Sequence, residues 1–288
     1  MKKKAYFCRN FFVMISSQSK PDKFIDIREI IRSKKPILAK IMPGFVVSFM
    51  KKIIHEDEVN RIIYEYRDRC GLSFVRSVIE DMQVTYSMEG LEQVPASGRY
   101  VFASNHPLGG FDGLVLMDAI GSKFKEIRMI VNDLLLNIKN FAPVFVPVNK
   151  HGRQSSEYAR KIDEAYSGDA QVLYFPAGLC SRKIRGKVTD TKWNKSFIQK
   201  AIQYKRDVVP VYFDGRNSNF FYNLANFRKM LRIKINFEMI FLVDELFKQK
   251  GRHLRLKFGT PIAYSSFNPS ENVNQWTEMV REKVYSMR

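Results

Sequence analysis

The spacing of hydrophobic and polar residues changes character near residue 98 of this chain. Residues 21–68 follow the spacing of amphipathic helices, whereas short apolar runs typical of buried strands alternate with helical segments beyond residue 98. The predicted strands are Tyr100–Ala103, Ile127–Val131, Val144–Val148, Val172–Phe175, Val208–Phe213 and Leu254–Phe258. The predicted helices include Leu114–Ile120, Ser155–Tyr166, Asn194–Tyr204 and Asn272–Tyr285.

This alternation predicts an α/β fold. Continuous apolar strands separated by helices indicate a mostly parallel sheet that is covered by helices on both faces. A length of 288 residues suits one large domain with a helical extension rather than two domains. We therefore divide the chain into an N-terminal basic, helical segment, residues 1–68, and a sheet-containing domain, residues 69–288.

The first candidate chemistry follows the strand at Tyr100–Ala103. That strand ends at Asn105-His106, a turn rich in proline and glycine comes next, and Asp112 lies at the start of a helix. A glycine-rich turn lets the chain fold back, so that Asp112 can reach His106 and orient it as a general base. The alternative is a histidine in a strand-to-helix turn with Asp112 serving only as a helix cap.

A second turn is predicted at the same edge of the sheet. The run Val172–Phe175 leads into Pro176-Ala177-Gly178, and the carboxyl ends of parallel strands share one edge. From Arg182 to Arg206 there are nine lysines and arginines and a single acid, Asp190. Such a run either is a solvated face or holds an anion beside the turn, and Arg182 could instead pair with Asp190 or with a helix C-terminus.

Together these segments resemble the lysophospholipid (glycerolipid) acyltransferase family, whose first motif is Asn-His-x4-Asp and whose third is Phe-Pro-Glu-Gly. Here five residues separate His106 from Asp112, and Ala177 stands in place of the glutamate. In both departures the chain resembles a haemolysin-like branch of this family, which acylates lyso-ornithine and lyso-glycine lipids. The other blocks that match this branch, in its order, are Asp190, Trp193 and Gly215-Arg216-Asn217-Ser218.

The resemblance implies an O-acyltransferase that moves a fatty acyl group from acyl carrier protein or coenzyme A to a lysolipid hydroxyl. His106 would be the general base, Asp112 would fix its tautomer, and backbone N–H groups around Gly178 would stabilise the oxyanion. No metal or cofactor is implied. The candidate substrate-binding residues are Asn105, Arg182, Lys183, Lys150, Arg153 and Arg216.

The net charge of +19 predicts an anionic partner such as a lipid headgroup, an acidic carrier protein or nucleic acid. Two alternatives to a lyso-aminolipid acyltransferase therefore stay open. One is a 1-acylglycerol-3-phosphate acyltransferase of the same fold. The other is a non-catalytic basic protein that binds membranes or nucleic acid, although no nucleic-acid-binding motif accompanies the charge.

Residues Pro36–Met50 form the most apolar part of the N-terminal segment. Lysine pairs flank this stretch and Pro43-Gly44 interrupts it, so it is either a core-facing helix pair or an interfacial element. The family resemblance favours membrane association. We predict neither a signal peptide nor a spanning helix. Three widely spaced cysteines indicate a reducing compartment, so we expect a peripheral protein at the cytoplasmic face of the inner membrane.

Overall fold

The computed structural model describes residues 23–34, 36–132, 138–148, 156–268 and 272–288. Its N-terminal part is helical, as the sequence predicts, and the interruption at Pro43 separates two helices. The helices of this part are α1 (Ile27–Lys34), α2 (Pro36–Ile41), α3 (Gly44–Ile53), α4 (Glu56–Glu65) and α5 (Leu72–Asp81).

The remainder alternates strands and helices. The strands are β1 (Thr85–Glu89), β2 (Tyr100–Ser104), β3 (Ile127–Asn132), β4 (Phe145–Val148), β5 (Gln171–Tyr174), β6 (Arg182–Ile184), β7 (Lys187–Thr189), β8 (Asp207–Asp214) and β9 (His253–Phe258). The helices are α6 (Phe111–Gly121), α7 (Ser156–Ser167), α8 (Ser196–Gln203), α9 (Asn219–Met230), α10 (Leu242–Phe247) and α11 (Val273–Ser286). A short 3₁₀ helix, Phe237–Phe241, leads into α10.

Seven of the described strands form one sheet in the order β1-β9-β8-β2-β5-β3-β4. Every neighbouring pair is parallel except β8 and β9, which are antiparallel. The predicted α/β fold with a mostly parallel sheet is therefore confirmed. The antiparallel hairpin β6–β7 lies outside this sheet and was not predicted, because strands of three residues carry too short a pattern.

Both faces of the sheet are covered. Alternate residues of β2 serve two cores: Tyr100 and Phe102 pack with α5 and α6, and Val101 and Ala103 pack with α7, α8 and α11. All five residues of β2 are buried, which explains why the strand is a continuous apolar run. Because β2 pairs with β5 on one side and β8 on the other, the loops after these strands lie at one edge.

The N-terminal helices join this core and also expose apolar side chains. Ile62 and Ile63 of α4 belong to the same core as the sheet. By contrast, Ile41, Phe45 and Phe49 are 71%, 76% and 58% exposed. No helix in the described part of the chain is long and apolar enough to cross a bilayer.

At the edge of the sheet opposite the loops that follow β2, β5 and β8, the buried Arg206 connects several elements. Its guanidinium donates hydrogen bonds to backbone carbonyls at the end of α7 and near the starts of β2 and β5. The acceptors are the carbonyl oxygens of Ala165, Tyr166, Gly168, Ala170 and Tyr100. Burial lowers the pKa of Arg206 to about 10, so these carbonyls stabilise a cation that still holds its proton at neutral pH.

Replacing Arg206 with methionine should destabilise the fold, because the carbonyls lose their donor while the volume is kept. We expect unfolding to become easier by roughly 2–5 kcal/mol, since a buried acceptor left without a donor costs about 1–3 kcal/mol. Thermal melting followed by circular dichroism measures the effect. The neighbouring, exposed Lys205→Met is the matched control, and equal melting temperatures for both variants would contradict the assignment.

Candidate active site

The structure brings the two predicted catalytic residues together. Nδ1 of His106 lies 2.9 Å from Oδ2 of Asp112. The Asp112 side chain is completely buried, whereas the imidazole is 16% exposed. The pair thus has the geometry of a base that is held from the protein side and open on the other side.

The turn between the two residues supplies most of the partners of the carboxylate. Backbone N–H groups donate to Asp112 from Leu108 (2.9 Å), Gly109 (3.3 Å), Gly110 (3.0 Å) and Gly113 (3.0 Å). The extra residue between His106 and Asp112 is therefore accommodated within a turn that wraps around the carboxylate. Four N–H donors and the imidazole together offset the cost of burying a charge.

Gly109 is required by this turn. Its φ of +77° lies in the left-handed region that favours glycine. A Cβ at this position would also come within 2.8 Å of Cβ of Cys180 and of Cδ2 of Leu242. Both the backbone conformation and the close packing therefore exclude a side chain here.

The contacts of Asp112 determine the tautomer of His106. A carboxylate can only accept, so the proton of a neutral imidazole lies on Nδ1 and Nε2 carries the lone pair. Among the described residues no group bonds to Nε2. The ring stacks on Phe175, with centroids 4.0 Å apart and an interplanar angle of 20°, which fixes its orientation.

Asp190 fixes the backbone of His106 through hydrogen bonds. Its Oδ1 accepts the His106 N–H (3.3 Å) and the hydroxyl of Ser181 (2.5 Å), and its Oδ2 accepts from Nε1 of Trp193 (2.9 Å). The N–H of Ser181 in turn donates to the carbonyl of His106 at 2.7 Å. Burial raises the pKa of Asp190. Trp193 is a buried core residue.

Arg182 does not face open solvent. Its guanidinium is almost fully buried and donates to the carbonyl of Cys180 (3.0 Å) and to Oε1 of Glu238 (3.2 Å). Nε of Arg228 lies 2.8 Å from the other oxygen of Glu238, although the angle of approach is outside hydrogen-bond geometry. These contacts favour the structural alternative for Arg182, with Glu238 rather than Asp190 as the partner. Its predicted role in headgroup binding has no geometric support.

Asn105 is also engaged within the protein. Its amide accepts from the backbone N–H of Phe213 (2.7 Å) and donates to the carbonyl of the same residue (2.9 Å). The side chain therefore extends the pairing of β2 with β8 beyond the last strand residue. This contact positions the residue directly before His106, whereas the sequence suggested substrate binding.

A cavity of about 240 Å³ lies beside the turn of residues 107–111 that joins the two candidate catalytic residues, which we call the catalytic turn. Asn105, Pro107 and Ser181 form one part of its lining, and His106 is not among the lining residues. Arg216, a predicted binding residue, lines it together with Lys187 and Arg288, which the sequence did not single out. These two cations come from the β6–β7 hairpin and from beyond α11, so no local motif could have indicated them.

The other predicted site residues are Lys183, Lys150, Arg153 and Gly178, and the structure describes two of them. Lys183 is half-buried on β6. Lys150 and Arg153 lie outside the described residues. The N–H of Gly178 donates to the carbonyl of Phe175 at 3.0 Å and so closes its own turn, with φ at +62°. In this geometry that N–H is not directed at an oxyanion.

Cys180 has the properties of a structural cysteine. It is buried, and burial raises the pKa of its thiol to about 11. The thiolate is the nucleophilic form, so this residue is unsuited to nucleophilic catalysis near neutral pH. Among the described residues no group of three or more histidine, cysteine or carboxylate side chains could hold a metal ion.

Comparison with known proteins identifies the class of protein. The model of the family described as Acyltransferase matches residues 29–288, and the chain belongs to this family. It is an acyltransferase, so the alternative of a non-catalytic basic module is wrong.

Two relatives are similar over most of their length. The lyso-glycine lipid O-acyltransferase of Bacteroides thetaiotaomicron is 44% identical over 264 residues, which cover 91% of this chain and 97% of that protein. The lyso-glycine lipid O-acyltransferase of Phocaeicola vulgatus is 40% identical over 264 residues, with 91% and 95% covered. The crystal structure of the 1-acyl-sn-glycerophosphate acyltransferase of Thermotoga maritima has a TM-score of 0.43 and 15% identity, over 91% of this chain and 98% of that one.

Proposed function

We propose that this protein transfers a fatty acyl group from an acyl thioester to the hydroxyl of a lyso-glycine lipid. The buried His106–Asp112 pair is the single observation that carries the reaction type, because its geometry suits the deprotonation of an alcohol. The names of the two relatives support the acceptor. Lyso-ornithine lipid and lysophosphatidic acid are the competing acceptors.

The proposed reaction needs no protein nucleophile. Nε2 of His106 removes the proton from the acceptor hydroxyl while the hydroxyl oxygen attacks the thioester carbonyl. Asp112 stabilises the imidazolium that results. The tetrahedral intermediate collapses with loss of the thiolate, which takes the proton back from His106. The ester bond formed replaces the thioester bond broken, so no oxidant or cofactor is consumed.

The oxyanion donor is assigned to the turn after β5. The N–H of Gly178 is used within this turn and Pro176 has no N–H, so we infer that the N–H of Ala177 or Leu179 donates to the oxyanion. Phe175, which starts this turn, stacks on the imidazole and links the position of the turn to that of the base. The turn and the base therefore keep one relative orientation.

We assign the anionic headgroup of the acceptor to the cavity beside Pro107. Lys187, Arg216 and Arg288 line this cavity, and Asp214 is the acid among its lining residues. All three cations are exposed, in contrast to Arg182. A glycine carboxylate suits this arrangement because a guanidinium can bind both carboxylate oxygens.

The charge and the N-terminal helices support a proposal for the acyl donor and for the location. An acidic acyl carrier protein fits a chain of net charge +19 better than coenzyme A does, and coenzyme A stays the alternative. Exposed Phe45 and Phe49 support the interfacial hypothesis for the N-terminal segment. We therefore keep the proposal of a peripheral enzyme at the cytoplasmic face of the inner membrane.

An acceptor screen tests the proposed function. Purified protein is offered lyso-glycine lipid, lyso-ornithine lipid and lysophosphatidic acid, each with acyl carrier protein and coenzyme A thioesters, and products are identified by mass spectrometry. We expect the highest kcat/KM with lyso-glycine lipid. A higher value with lysophosphatidic acid would replace the proposal by a 1-acylglycerol-3-phosphate acyltransferase.

The catalytic assignment predicts the effect of two substitutions. His106→Ala should lower kcat by roughly 10²–10⁴-fold because it removes the base. Asp112→Asn should cost nearly as much, since an amide that donates to Nδ1 places the proton on Nε2. Single-turnover rates measure both effects. The control Cys180→Ala should retain activity, and wild-type turnover by His106→Ala would exclude the mechanism.

The two arginines should separate binding from stability. Arg216→Ala should raise the KM for lyso-glycine lipid about tenfold, with little change for the acyl donor or the melting temperature. Arg182→Met should lower the melting temperature, because breaking a buried ion pair costs roughly 3–5 kcal/mol, and leave the acceptor KM of the folded enzyme unchanged. The exposed Arg252→Ala is the control for both. The reverse pattern would return headgroup binding to Arg182.

A further inference from the structure

Helix α9 is apolar on two faces. Its inner face buries Phe221, Tyr222 and Ala225. On its outer side, Phe220 is 52% exposed, Phe227 is 52% exposed and Met230 is 69% exposed. Covering one core requires apolar side chains on the inner face only. The exposed apolar side chains on the outer face are therefore suited to contact an external partner.

The exposed apolar group continues beyond the end of α9. Leu231 is 50% exposed, Ile233 39%, Ile235 76% and Phe237 38%. We call these four residues together with Phe220, Phe227 and Met230 the 220–237 surface. Single exposed apolar residues are ordinary in soluble proteins, but seven large ones within one short stretch indicate a binding surface.

The charge of this stretch is one-sided. Between Asp214 and Glu238 the sequence contains no acidic residue. Lys229, Arg232 and Lys234 are exposed among the apolar side chains. Long basic side chains beside exposed aliphatic and aromatic groups are typical of protein surfaces that bind an anionic bilayer, where stems and rings enter the interface and cations meet phosphates.

The conformation of the 220–237 surface is held by the fold. After α9 the N–H of Ile233 donates to the carbonyl of Arg228 (3.1 Å), which is the closing bond of a helix C-cap. The guanidinium of Arg228 donates back to the carbonyl of Ile233 (2.7 Å) and pairs with the buried Glu238. The exposed apolar side chains therefore lie on a loop whose conformation is fixed by hydrogen bonds and an ion pair.

Packed side chains connect the 220–237 surface to the catalytic turn. Phe220 contacts Phe241 edge to face, with centroids 5.2 Å apart. The next residue, Leu242, packs against Gly109, whose missing side chain leaves room for it. The catalytic turn and the 220–237 surface are thus separated by one short helical segment.

The same segment also contacts the N-terminal helices. His55 lies at the start of α4 and bonds through Nε2 to Asp244 (3.0 Å) while its ring stacks on Phe247 at 4.3 Å. Helix α3, with exposed Phe45 and Phe49, directly precedes His55. The segment 237–247 therefore contacts Phe220 of the 220–237 surface at one end and His55, which follows α3, at the other.

We propose that the 220–237 surface is a second membrane-contact surface, whose partner is an anionic lipid bilayer. With the N-terminal helices it would hold the enzyme on the bilayer at two places, which are connected through the segment 237–247. This inference goes beyond the proposed function, because binding to lipid does not depend on which acceptor is acylated. An acidic carrier protein is the other partner that the charge would suit, and the experiments below distinguish it.

Tryptophan probes report contact of this surface with lipid. Phe227→Trp and Ile235→Trp are made in the full chain and mixed with phosphatidylcholine–phosphatidylglycerol vesicles, with or without brominated acyl chains. We expect a blue-shifted emission for both probes and quenching by the brominated lipid. Met88→Trp, at an exposed position of β1, is the control and should show neither effect. Probes at 227 and 235 that behave like the control would overturn the proposal.

The charge contribution is measured with a triple variant, Lys229→Gln/Arg232→Gln/Lys234→Gln. Its affinity for the same vesicles should fall on the order of a hundredfold, about a factor of five for each charge removed. The control removes three exposed lysines elsewhere, in Lys125→Gln/Lys205→Gln/Lys250→Gln, and should retain most of the affinity. Melting temperatures verify that both variants fold.

Two results would contradict the proposal. Equal loss of vesicle affinity in the triple variant and its control would mean that only the overall charge matters. Unchanged vesicle binding with a raised KM for acyl carrier protein thioester would assign the 220–237 surface to the carrier protein. Vesicle binding is measured without substrate, so the first result does not depend on the acceptor screen. The KM comparison uses the acceptor that the screen finds to be the best substrate.

Discussion

The hydrogen bonding of the buried Asp112 carboxylate is the interaction on which the candidate active site depends. It accepts four backbone N–H groups and the imidazole of His106, and the turn that supplies those donors can form only because Gly109 has no side chain. A carboxylate without these partners would be too costly to bury. The same bonds that stabilise the charge therefore also define the position and the tautomer of His106, the proposed base.

The sheet brings the rest of the site to this turn. Because β2 lies between β5 and β8, the turn after β5 and the loop after β8 both adjoin His106. Asn105 continues the hydrogen bonding of β2 with β8 past its last residue, and Asp190 holds the backbone of His106 from another loop. The histidine is thus fixed through its main chain as well as its ring.

The positive charge of the chain serves several separate purposes. Arg206 and Arg182 are internal: one binds backbone carbonyls and the other pairs with Glu238. Arg216 lines the cavity beside the catalytic turn, and Lys229 and Lys234 lie on the 220–237 surface. A net charge alone cannot distinguish these uses, because it does not separate buried cations with internal partners from exposed ones.

The amino-acid pattern was enough to predict the α/β fold, the strands that bear the site and the approach of Asp112 to His106. Those features depend on local periodicity and on a turn of a few residues, which are visible along the chain. It did not indicate α9 as a helix, because apolar residues on both sides obscure helical periodicity. The pairing of Arg182 with Glu238 is visible only in the folded protein, because the two residues are 56 positions apart in the chain. Burial and long-range pairing depend on how elements pack, and no local spacing encodes that.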